Sequence, residues 1–130
     1  MGNDFIDDHE VVLRRIPPGV DWFEPPDRIT SANFKLRPGE GGLSVYREKV
    51  VTPRQVLDKS NALSGSLVSS ATAGEIRRVV NAAGEPLHLD VVPVDDPSDP
   101  GHAEIRSPGG RLTASASKAL KMLFKLIRVP

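Results

Sequence analysis

An α+β fold built on a mostly antiparallel sheet of short strands is what this 130-residue sequence predicts. Three observations lead there. Short β-branched and aliphatic runs recur along the chain, separated by turn-forming clusters among its 12 prolines and 11 glycines. Only two stretches join helix-start chemistry to apolar residues at helical spacing, one mid-chain and one at the C-terminus. Five or six short strands with two helices give an α+β domain. The length suits one domain, residues 11–130, preceded by a flexible acidic segment, residues 1–10.

The elements follow in order. Val11–Ile16 (VVLRRI) reads as a strand stopped by Pro17-Pro18-Gly19. Residues 17–28 hold four prolines around Trp22-Phe23 and read as an extended connector, because the residue before each proline is pushed out of the helical region. Ile29–Leu36 alternates loosely and reads as a strand. Residues 38–42 form a glycine-rich hairpin loop, and Leu43–Val51 is the next strand by its composition. Thr52-Pro53 starts a helix, with threonine as N-cap and proline in the first turn, burying Val56, Leu57 and Leu63. Residues 64–70 read as loop or weak strand, and residues 72–80 are divided between a helical turn and a strand. Asn81–Gly84 is a turn. Leu87–Val94 alternates as a strand, at a sheet edge or ending at Pro93. HAEI, residues 102–105, is a short strand. From Ser115 to Arg128, Ala116, Leu120, Leu123, Phe124 and Ile127 fall at helical spacing, capped by Thr113 or Ser115.

Composition narrows the function classes. Aromatics make up 5% of the chain, so the core is aliphatic. Lys+Arg and Asp+Glu number 17 each, which gives no global charge argument for nucleic acid or membrane binding. The absence of cysteine excludes disulfides, thiolate metal sites and cysteine nucleophiles, and it fits a cytoplasmic protein. No stretch reaches the length of a membrane span.

The acidic turn and strand Asp95–Arg106 (DDPSDPGHAEIR) concentrates the polar chemistry, delivering His102 and Glu104 to a strand. His9, His88 and His102 lack metal-ligand spacing, and Asp95–Gly101 lacks the twelve-residue calcium-loop pattern. No metal site and no cofactor are expected. There is no Gly-x-Ser-x-Gly elbow and no phosphate loop. One constellation remains. Arg14 or Arg15 on the first strand, Ser31 on a following one and Glu104 on a late one, with His102 nearby, are similar to the arrangement of ADP-ribosyltransferase-like folds. That resemblance implies an arginine holding a dinucleotide, a serine supporting the site and a glutamate facing the positive ribosyl centre. The chain departs from the family by having no Ser-Thr-Ser and no Glu-x-Glu; Thr30-Ser31 is a partial match.

Charge is unevenly placed. Residues 1–10 and 85–104 carry four and six acids and no Lys or Arg, whereas residues 111–130 carry five bases and no acid. On the expected terminal helix, Lys118, Lys121, Lys125 and Arg128 form a stripe that offers a basic face to an acidic partner or, less directly, to nucleic acid. Trp22 and Phe23 are either a lid on the core or an interface anchor. The segments Arg14–Ile16, Ser31–Phe34, Leu43–Arg47 and His102–Ile105 resemble a set of short bacterial proteins carrying R-R-[IVF], S-x-x-F, L-S-V-x-R and H-A-x-[IV]. That resemblance implies a one-domain bacterial cytoplasmic protein without specifying an activity, and it singles out Ser31, Ser44, Arg47 and His102. The leading expectation is therefore a non-catalytic interaction or accessory subunit of a larger assembly, binding a protein partner or itself. An NAD-handling enzyme and a nucleic-acid-binding accessory are the alternatives.

Overall fold

A computed structural model describes residues 5–59 and 65–129. In chain order the elements are β1 (Val11–Ile16), β2 (Phe23–Glu24), β3 (Arg28–Ile29), a 3-10 turn (Ser31–Phe34), β4 (Leu43–Arg47), α1 (Pro53–Leu57), β5 (Leu67–Thr72), α2 (Ala73–Arg77), β6 (Asp90–Pro93), β7 (His102–Arg106), a short 3-10 turn (Pro108–Gly110), α3 (Ala114–Leu123) and β8 (Lys125–Ile127). Six strands form one sheet in the order β6-β7-β4-β1-β5-β8, and its pairings are antiparallel. β2 and β3 make a separate two-stranded ribbon. The fold is α+β, as the sequence predicts, and among the described residues no helix is long and apolar enough to cross a membrane.

Strand alternation sorts the sheet into two faces. On one, Val12, Ile16, Val45, Ile105 and Val91 meet Ile76 of α2, Leu120 of α3, and Phe34 and Phe124, whose rings lie 5.1 Å apart. On the other, Leu13 and Val68 meet Val51 and Val56, so α1 covers the β1–β5 part. The same alternation turns Ser44 and Tyr46 of β4, and His102 and Glu104 of β7, toward this second face. Its β4–β7 part is polar.

Caps fix the short helices. Thr52 and Thr72 each close a capping box, with Gln55 and Glu75 respectively, and Thr113 caps α3. Pro93 ends β6, which is an edge strand.

Several expectations are corrected. Residues 5–10 are not a loose tail: Ile6 is fully buried, Asp8 and Glu10 carbonyls accept from Gly74 and Ala73, and both carboxylates are paired. One aliphatic residue and two ion-paired carboxylates are enough to anchor a segment whose composition looks solvated. Ile29–Leu36 is not a strand beyond Ile29. Asn33 Nδ2 donates to the Trp22 and Thr30 carbonyls, and Ser117 Oγ donates to the Phe34 carbonyl, which folds Ser31–Phe34 into a turn under α3. β6 is shorter than the alternation of residues 87–94 suggests, because His88 takes φ 56° in the left-handed region. Helical structure mid-chain comes twice, in α1 and α2; α1 ends at Leu57, and Leu63 lies outside the described residues.

The largest correction is at the C-terminus. α3 stops at Leu123, and Lys125–Ile127 pairs with β5 as β8. The edge of β5 is open without it, and the aliphatic tail LIRV satisfies that edge better than a further helical turn does. Lys125 and Arg128 therefore leave the helix, and the helical basic stripe shrinks to Lys118 and Lys121.

Candidate functional site

The polar part of the second sheet face gathers Ser44, Tyr46, Lys59, Asp99 and His102 into one cluster. Ser44 and Glu104 are register partners on adjacent strands, and Tyr46 and His102 are the next pair along. His102 Nε2 lies 3.0 Å from Ser44 Oγ, and its ring packs on Tyr46 with centroids 5.6 Å apart. Asp99, at the turn before β7, accepts from Tyr46 Oη at 2.8 Å and from Lys59 Nζ at 2.7 Å, and its carboxylate is 4.0 Å from His102 Nδ1. The Lys59 ammonium also stands over the Tyr46 ring at 4.4 Å.

These contacts set the local protonation. Burial and the hydrogen bond to Asp99 push the Tyr46 phenol up to about 12. For Asp99, burial alone raises the carboxyl, but the bonds from Lys59 and Tyr46 outweigh it and hold the group below the usual aspartate range. The cluster keeps a neutral phenol beside an ionised carboxylate.

Two adjoining hollows flank Tyr46. One, about 260 Å³, is lined by Arg14, Arg15, Asn33, Lys35, Arg37 and Ser44, with Trp22 and Glu40 also in its wall. The second, about 440 Å³, takes in Arg15, Gln55, Asp58, Lys59 and Asp99. Arg15 and Tyr46 belong to both. The first hollow brings four cationic side chains together with one carboxylate, so it favours an anion.

Arg14 and Arg15, equal candidates by sequence, divide the work. Arg14 points to the helix-covered face. Its Nε donates to the Asn33 carbonyl at 2.7 Å and its Nη1 to the Ser44 carbonyl at 2.6 Å, with the guanidinium over Phe34. Burial lowers it to about 10, and no carboxylate lies within ion-pair distance among the described residues. Arg14 thus ties the 3-10 turn to β4 and fixes the backbone at Ser44. Arg15, on the opposite side of the strand, faces the open hollows.

The remaining expected residues are placed as follows. Glu104 stands beside Ser44 rather than in the wall of either hollow. Its Oε1 takes both bonds from Arg106, at 3.0 and 2.9 Å, and Oε2 has no hydrogen-bond or ion-pair partner among the described residues. Ser31 begins the 3-10 turn and lines neither hollow. Arg47 turns away to a buried pair with Glu10. Trp22 and Phe23 are half-buried and pack against the main core. Lys118, Lys121, Lys125 and Arg128 lie elsewhere. Tyr46, Lys59 and Asp99 were not legible as site residues, because their meeting joins positions up to 53 apart in the chain. Ser44 carries one local signal: in LSVYR, residues 43–47, it alternates with the buried Leu43 and Val45 and so faces the other side.

No protein-family model matches this chain, and no curated protein or solved structure matches it significantly.

Proposed function

We propose that this chain handles a nucleotide of the NAD class in the manner of the ADP-ribosyltransferase-like arrangement, with Ser44 in place of Ser31. One observation carries the reading. An arginine on the first sheet strand, a serine on the second and a glutamate on a later strand share one face, with Ser44 and Glu104 directly opposite each other and Arg15 lining the same hollow as Ser44.

Each residue then has a physical task. Arg15, with Lys35 and Arg37, neutralises the pyrophosphate. Ser44, held by His102, orients a ribose hydroxyl. The free Oε2 of Glu104 faces the oxocarbenium-like ribosyl centre that develops as the C–N bond to nicotinamide breaks. Nicotinamide leaves with the bonding electron pair. Water supplies the new C–O bond and gives up a proton. Arg14 acts at one remove, by holding the backbone under Ser44.

The test is release of nicotinamide from NAD, followed by chromatography, together with binding read from Trp22. That residue is the chain's only tryptophan and lies in the wall of the first hollow. Glu104→Gln lowers the turnover by about 100- to 1000-fold, the cost of removing one transition-state charge partner, with binding retained. Ser44→Ala lowers it less. An intact protein that releases no nicotinamide and whose tryptophan emission ignores millimolar NAD refutes the reading.

A further inference from the structure

A second feature, on the opposite side of the sheet, is independent of the nucleotide reading. A groove of about 700 Å³ runs between α2 and α3, floored by Val79, Val80, Ala119 and Leu123 and walled by Met122. Met122 is 70% exposed and Val80 46% exposed. On the far side of Met122 a second hollow of about 470 Å³ is lined by Ile29, Phe124 and Leu126 and by the charged Asp27, Arg28, Lys121 and Lys125. Met122 is therefore a ridge between an apolar groove and a mixed, largely charged hollow, and methionine suits a surface that must adapt to a partner.

The rim is mainly basic, its two acids being Glu75 in the first groove and Asp27 in the second hollow. Lys118 borders the first groove, and Lys121 and Lys125 border the second. None of the three has an acidic partner among the described residues; the Lys125 ammonium donates only to the Met122 carbonyl. The rim acid Glu75 is consumed by the Thr72 capping box. Unpaired cations around an apolar groove call for a ligand with apolar knobs and flanking carboxylates.

We propose that this surface docks an acidic amphipathic helix of a partner protein. The groove lies between two helices, so it offers no row of backbone donors and acceptors for an added strand. A helix brings its backbone bonds already satisfied and presents only side chains. Because α2 and α3 cover the face opposite Ser44, docking leaves the nucleotide hollows open.

The probe is a fluorescently labelled helical peptide with leucines at i, i+3, i+4 and i+7 and glutamates elsewhere, compared by anisotropy with the same peptide carrying lysines. The glutamate peptide binds at micromolar concentration, at least about tenfold tighter than the lysine peptide, and weakens in high salt as Debye screening requires. Met122→Glu weakens it at least about tenfold. Because Met122 is exposed, that variant keeps the wild-type circular dichroism. The double variant Lys118→Glu/Lys121→Glu inverts the preference between the two peptides. Equal affinity for both peptides, no binding at millimolar concentration, or binding untouched by Met122→Glu overturns the proposal. So does a self-associated species on sizing chromatography that Met122→Glu dissociates, since a second copy then fills the groove.

Discussion

Replacing Glu10 by glutamine removes the charge from the most enclosed ion pair among the described residues. Glu10 accepts from Arg47 in bidentate fashion, Nε to Oε1 at 2.8 Å and Nη2 to Oε2 at 2.7 Å, with side-chain exposures of 6% and 9%. Glutamine keeps the shape but sets an amide N–H₂ against a guanidinium and removes the carboxylate charge that faces it in a buried setting. Breaking one partner of a buried pair costs about 3–5 kcal/mol. Lys49, 3.3 Å away and 59% exposed, opens one side to water, so the lower end, about 3 kcal/mol, applies here. For a domain of this size that is a fall in Tm on the order of 10 °C. The assay is urea unfolding at pH 7 followed by far-UV circular dichroism. The double variant Glu10→Gln/Arg47→Met removes both members of the pair and regains part of the loss.

The same pair fixes the direction of the pH dependence. Burial raises the Glu10 carboxyl, but Arg47 and Lys49 outweigh it, so the group sits below its ordinary 4.5. A depressed folded-state value means the stabilisation is complete above the unfolded-state value and disappears as pH falls through the folded-state value. Wild type therefore loses stability below about pH 4.5, and Glu10→Gln flattens that acid limb. A loss under about 1 kcal/mol at pH 7, with an unchanged acid limb, refutes the argument and with it the docking of residues 5–10.

Two further predictions probe other joints of the structure. Gly74→Ala places a Cβ 2.8 Å from the Asp8 Cβ and 3.0 Å from its carbonyl oxygen. It therefore displaces the N-terminal segment and costs about 1–3 kcal/mol in chemical denaturation, and a neutral result would mean that segment is not seated there. Tyr46, the chain's only tyrosine, ionises with a midpoint near 12 when phenolate absorbance is followed with pH; Asp99→Asn lowers the midpoint while burial keeps it above 10, and an unchanged midpoint would break the link to Asp99.

Much of the fold was legible wherever the signal was local. Thr52-Pro53 and Thr113 start helices because their side chains cap backbone N–H groups two or three residues on, which no distant contact need assist. VVLRRI, HAEI and the Pro93 edge read correctly for the same reason: period-two alternation and a missing N–H are properties of a few adjacent residues. Ser31 and Ser44 mark the limit of such signals. Ser44 sits in a regularly alternating strand, whereas Ser31 sits in a loosely alternating run that the capture of Asn33 and Phe34 by the Trp22, Thr30 and Ser117 contacts turns into a 3-10 turn.

By itself, then, the sequence determined an antiparallel α+β sheet, its helix starts, and the strands that carry Arg15, Ser44, His102 and Glu104. The tertiary structure decided which of these side chains share a face, that Arg14 is a tie rather than a ligand, that Glu10 belongs to a buried pair, and that the chain ends as a strand instead of a helix. The division has one physical cause. Capping and alternation act over a few residues, whereas sheet register, ion pairing and the filling of an open strand edge depend on segments tens of residues apart, whose local preferences are too weak to choose on their own.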